Sequence, residues 1–115
     1  MRFDRTGIAL VLLVASMPAL AGPSGDAVPG AERQQELKKL LHRDCGSCHG
    51  LHLDGGLGPA LSPERMRGYD REALVRVILE GVPGTAMPGW QSELSEAEAR
   101  WLARHLQERE PSRND

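Results

Sequence analysis

Apolar residues along this chain come in short, helix-spaced bursts separated by stretches dense in glycine and proline. Between Ala31 and Arg43, Leu37, Leu40 and Leu41 share one face at the i, i+3, i+4 spacing of an amphipathic helix, which runs directly into Cys45. From Gly50 to Leu61 the repeated glycines and Pro59 forbid a long helix and predict a loop. Ser62-Pro63-Glu64 predicts a helix start. Ser62 caps, Pro63 takes the first helical position, Glu64 meets the positive end of the dipole, and the short helix stops at Gly68. Asp70 caps the next helix, whose apolar face is Leu74, Val77 and Ile78 and whose end is Gly81. Gly81 to Gln91 is a second loop. Ser95-Glu96-Ala97-Glu98 is a capping box, with Leu94 placed to staple onto Ala99. The last helix reaches Glu108, with Ala99, Leu102, Ala103 and Leu106 on one face. No strand pattern and no internal repeat emerge, so the fold class is all-α.

The ends divide the chain. Residues 1–21 predict a secretory signal peptide: Arg2 and Arg5 at the start, an apolar run from Gly7 to Ala15, and Ala19-Leu20-Ala21 as the cleavage pattern. The run is short for a membrane span; if left uncleaved it would act as an N-terminal anchor. Residues 22–30 read as a flexible leader, 31–108 as the folded domain and 109–115 as a polar tail. Cleavage after Ala21 would leave 94 of the 115 residues, enough for one small domain.

Composition then sharpens the picture. The part after residue 21 holds no Phe, one Tyr (Tyr69) and two Trp (Trp90 and Trp101). So few aromatics make a thin core, and a buried planar cofactor would fill the deficit. The net charge of −2 becomes −3 once Arg2, Asp4 and Arg5 leave with the signal. With no basic cluster interleaved with aromatics, nucleic acid is excluded as a natural partner.

The candidate chemistry is Cys45-Gly46-Ser47-Cys48-His49. This C-x-x-C-H pattern is a c-type haem attachment site. Two thiols three positions apart can each bond one vinyl group of a porphyrin, and the next residue sets an imidazole under the iron. A thioredoxin-like motif would need a βαβ context that is missing. A zinc site would have to gather Cys45, Cys48, His49 and His52 from one short stretch. A disulfide here would close a tiny loop and stabilise little.

A low-spin electron carrier needs a sixth iron ligand. Met66 and Met87 remain beyond the signal. Met66 lies inside a helix pattern and suits a core role. Met87 precedes Pro88, which favours an extended backbone, and is flanked by Gly84 and Gly89. Met87 is therefore the stronger candidate over Met66, His42, His52 and His105. In Gly58-Pro59-Ala60-Leu61, a carbonyl could accept from Nδ1–H of His49 and fix its ring; the alternative is an ordinary turn.

Cys45 to His49, Gly58 to Leu61, Met87-Pro88-Gly89-Trp90 and the Leu94-to-Leu106 helix resemble a class I monohaem cytochrome c over most of the domain. The stretches Cys48 to Pro59 and Pro83 to Trp90 resemble the NirC-type cytochromes of denitrifying bacteria. The resemblance implies about four helices wrapped around one covalent haem c, held by Cys45 and Cys48. It implies His49 and Met87 as axial ligands and Pro59 as carbonyl donor to His49. It also implies an exposed haem edge rimmed by Leu51, Leu53 and Leu57, with Asp54 the one charge. Such proteins commonly cross a small or aromatic residue of the first helix with an aromatic one of the last; here Trp101 can supply the latter, but the first helix offers Leu37 and Leu41, leaving that crossing open.

No nucleophile–base pair and no paired carboxylates suggest catalysis. The expectation is a monomeric, periplasmic one-electron carrier donating to cytochrome cd1 nitrite reductase. The alternatives are an accessory role in d1-haem assembly or donation to another respiratory oxidoreductase.

Overall fold

The structure, a computed structural model, describes residues 27–111. The expected signal (1–21), most of the leader and the end of the tail lie outside the described residues. The described chain is helical: α1 (Ala31–Leu40), a π-helical turn (Leu41–Cys45), α2 (Gly46–His49), α3 (Pro63–Arg67), α4 (Arg71–Glu80) and α5 (Glu96–Glu108). The first three pieces join end to end, so the path makes four rods, with no strand among the described residues. The helix expected to stop at Arg43 instead continues through the whole of Cys45–His49.

Local signals explain the other boundaries. Ser62 accepts from the Arg65 amide, Asp70 from the Ala73 amide, and Ser95 and Glu98 satisfy each other's backbone amides in a full capping box. Each such cap stabilises a helix start by about 1 kcal/mol.

α5 is the central rod and packs on both α3 and α4. It buries Ala99, Trp101, Leu102, Ala103 and Leu106. Leu37 and Leu41 from the first rod, Met66 from α3, Leu74 and Val75 from α4, and Leu94 complete one core with them. The first and last rods thus share Leu37, Leu41, Trp101 and Leu102. An ion pair from Arg33 Nε to Glu98 Oε1, 2.5 Å, ties them further. Buried Gln107 clamps the α3–α4 turn: its Nε2 donates to the carbonyls of Met66 and Tyr69, and its Oε1 accepts from Arg71 Nε. Trp101 is the one aromatic among the buried core residues described, in keeping with the thin aromatic supply.

The face of α4 is turned by about one position from that expected. Leu74 and Val75 are buried, Ile78 and Leu79 pack behind them, and Val77 is exposed. Two i, i+4 pairs, Leu74–Ile78 and Val75–Leu79, face inward. The amides of Trp90 and Gln91 close over their end by bonding to the carbonyls of Ile78 and Leu79.

Candidate functional site

Cys45 closes the π turn, and Gly46–His49 form the last helical turn of the first rod. At Gly50, with φ of 94°, the backbone enters a region that a side chain disfavours, and the helix ends. Helix ends leave carbonyls unpaired. Here the following loop supplies the donors: the Gly55 amide bonds to His49 O (2.8 Å) and the Gly58 amide to Cys48 O (2.7 Å).

That wrapping carries Pro59 onto the histidine. Nδ1 of His49 lies 2.7 Å from the carbonyl oxygen of Pro59. A carbonyl can only accept, so Nδ1 carries the proton and donates. The neutral ring then keeps its lone pair on Nε2. A Cβ on Gly58 would stand 2.9 Å from Nδ1 and Cε1 of His49, so only glycine lets the loop lie flat against the imidazole. His49 itself is buried.

Leu53 anchors the loop. Its side chain is 0% exposed despite a left-handed backbone (φ 60°). Burying a leucine stabilises by about 1.5–3 kcal/mol, which offsets the 1–3 kcal/mol that such a backbone costs. The Leu53 carbonyl accepts from the Leu61 amide, fixing the chain just beyond Pro59. This corrects the expected rim. Leu53 belongs to the core, whereas Leu51 and Leu57 stand 76% and 94% exposed.

The two thiols differ. Cys48 is exposed, and Cys45 is half-buried against the core. Burial, reinforced by the Asp44 charge, pushes the Cys45 thiol up to about 11. A reactive or redox C-x-x-C depresses that value instead. Among the described residues, no three His, Cys, Asp or Glu side chains form a group able to hold a metal ion, so the Cys45–Cys48–His49–His52 zinc arrangement is not assembled.

The other candidates separate cleanly. Met66 is buried in the core. His42 approaches the carbonyl of Leu51 (3.3 Å), and His52 is exposed. His105 stacks on Trp101, centroids 5.1 Å apart. Burial and the neighbouring Lys38, Arg109 and His42 lower its imidazole below the usual value. Met87 is half-buried between exposed Ala86 and Pro88. Its loop is laced by Val82 N to Met87 O (3.3 Å) and Thr85 Oγ1 to Val82 O (2.7 Å).

An imidazole backed by glycine and oriented by a carbonyl, with two thiols on the preceding turn, is a donor set and cradle that fits a haem c. Comparison with known proteins agrees. The family model described as cytochrome c oxidase, cbb3-type, subunit III, matches residues 32–106. Cytochrome c55X of Paracoccus denitrificans is 50% identical over 99 residues, covering 86% of this chain and 91% of that one. Cytochrome c55X of Pseudomonas aeruginosa is 53% identical over 104 residues, 90% and 84% respectively.

The chain belongs to the NirC-type small cytochromes c.

A solved c-type cytochrome NirC superposes with a TM-score of 0.70 at 54% identity, covering 74% of this chain and all of that one. As a NirC-type cytochrome the chain has an all-α cytochrome c fold built for haem c, and it is an electron carrier rather than an enzyme. The same module recurs in a larger protein. The dihydro-heme d1 dehydrogenase of Pseudomonas aeruginosa is 31% identical over 105 residues, 91% of this chain but 19% of that one. Within the Gly50–Leu61 loop, Gly58 and Pro59 stand where the sequence placed them, whereas the anchoring role of buried Leu53 was not legible in the sequence. The Gly50/Gly55/Gly56/Gly58 spacing was the available signal for close backbone approach.

Proposed function

We propose that this NirC-type cytochrome is a monomeric periplasmic one-electron carrier with a single covalent haem, and that it donates to cytochrome cd1 nitrite reductase. The observation that carries the reading is the His49–Pro59 hydrogen bond at the end of Cys45–His49. Cys45 and Cys48 would hold the haem, each adding its S–H across one vinyl group so that an S–C and a C–H bond replace the S–H bond and the vinyl π bond, with no net redox change. Pro59 holds the Nδ1 proton, which orients His49 and raises the basicity of Nε2 toward the iron. Met87, from its laced loop, would offer the iron a thioether, a ligand type that raises the potential. The bound iron supplies the one-electron couple.

Attachment of haem c outside the bacterial cytoplasm, together with the expected signal at residues 1–21, supports the periplasm. Among the described residues, no helix is long and apolar enough to cross a membrane. Stopped-flow mixing of the reduced cytochrome with oxidised nitrite reductase tests the donor role. Fast second-order electron transfer is expected, and none would reject that partner.

A second reading, a role in d1-haem assembly, is favoured by one observation. A solved structure titled dihydro-heme d1 dehydrogenase NirN in complex with DHE superposes with TM-score 0.60 at 33% identity, over 68% of this chain and 17% of that one. A deletion strain whose nitrite reductase lacks d1 haem would favour assembly; normal d1-haem content would favour the donor role.

A further inference from the structure

Leu37, Leu41, Cys45 and His49 stand four residues apart. An α-helix turns about 100° per residue, so each four-residue step overshoots by about 40°. Over the three steps from Leu37 to His49 a straight helix would swing the imidazole about 120° off the face that Leu37 occupies. The structure does not run a uniform helix over this span: the π turn Leu41–Cys45 interrupts it. Leu37 and Leu41 are buried, Cys45 packs on the same core, and His49 is buried and bonded to Pro59.

We propose that the π turn Leu41–Cys45 is a register corrector that returns Cys45 and His49 to the inward face begun by Leu37 and Leu41. The Gly46 amide bonds to Leu41 O, five residues back rather than four. One extra residue in that turn rotates everything beyond it back by about 100°. His49 is left about 20° from the Leu37 face, within the 10–20° that a positioned site tolerates. The turn is settled locally: Ser47 Oγ donates to the Asp44 carbonyl at 2.6 Å. His42 and Arg43 within it are exposed, so the number of residues sets the register and the identity of these two does not.

The inference rests on His49 as iron ligand, and three variants of the full chain, matured in an exporting, haem-attaching host, test it. Arg43→Ala should keep the haem mass, the near-infrared sulfur-to-iron band and the midpoint potential. Deleting Arg43 should keep them too, because eleven residues of plain α-helix bring His49 to within about 20° of the same face. Inserting one alanine between His42 and Arg43 adds about 100° and should abolish the band and most haem-loaded protein. An insertion variant with a wild-type spectrum overturns the proposal. So does a deletion variant that loses the band or fails to accumulate while Arg43→Ala is normal. A wild-type chain without haem would bring down the ligand reading and this one with it. A loaded wild type with variants out of this order brings down register correction alone.

Discussion

The imidazole of His49 and the backbone of Gly58 are in contact so close that a methyl group could not stand between them. The nearest ring atoms lie 2.9 Å from where a Cβ would sit. The contact is what lets the next residue, Pro59, place its carbonyl 2.7 Å from Nδ1. Gly58→Ala should therefore push the ring off that carbonyl. Overpacking of this kind costs about 1–3 kcal/mol, read as a lowered guanidinium midpoint of the holoprotein. With His49 as the proposed iron ligand, loss of the hydrogen bond would lower its basicity, so the midpoint potential should rise. An unchanged potential would detach Gly58 from the tuning of the iron.

Met87 and Met66 should respond in opposite ways. Met87→Ala should remove the near-infrared sulfur-to-iron band and lower the potential, within the roughly 0.8 V that axial ligands span. Met66→Ala should keep the band and destabilise the fold by about 2–5 kcal/mol, because it empties a buried core position. A band lost with Met66 and kept without Met87 would reverse the assignment.

Leu51 and Leu57 are the exposed apolar residues beside the C-x-x-C-H turn. If they seat the redox partner, Leu57→Asp should slow oxidation by nitrite reductase several-fold, on the order of 1 kcal/mol. The wild-type rate should depend only weakly on salt, since steered association falls steeply with ionic strength. Leu53→Asp is the contrasting variant: it places a charge in the core and should fail to fold. Stopped-flow rates across a salt series decide the matter, and a steep salt dependence would point to charged docking elsewhere.

His105 should make stability depend on pH. Its imidazole sits below the usual 6.5 in the folded chain through burial and the positive neighbours Lys38, Arg109 and His42. The unfolded chain then takes up the proton first. Stability from this group is complete above about pH 6.5 and is lost as pH falls through the lower folded value. His105→Gln should flatten that part of the denaturation-midpoint profile. Parallel profiles for the two proteins would assign the dependence to other groups.

Much of this was legible residue by residue. The starts of α3, α4 and α5 follow from Ser62, Asp70 and Ser95, because a cap is decided within one turn of chain by a side chain and its nearest amides. The cytochrome c family was equally plain from Cys45 to His49, since the spacing of two thiols and an imidazole is itself the chemical requirement. Other features needed the folded chain. Sequence periodicity put Val77 on the inward face of α4, and packing against α5 chose Val75 instead. Leu53 looked like one more loop leucine beside Leu51 and Leu57, yet it alone is drawn into the core, at the expense of an unfavourable backbone. The π turn has no local signature in Leu41–Cys45. It arises where the face that buries Leu37 must also bury His49, and a uniform α-helix cannot do both over twelve residues. Local hydrogen bonding and covalent spacing are written in adjacent residues; rotation of one face against a distant one is settled only when both are packed on the same core.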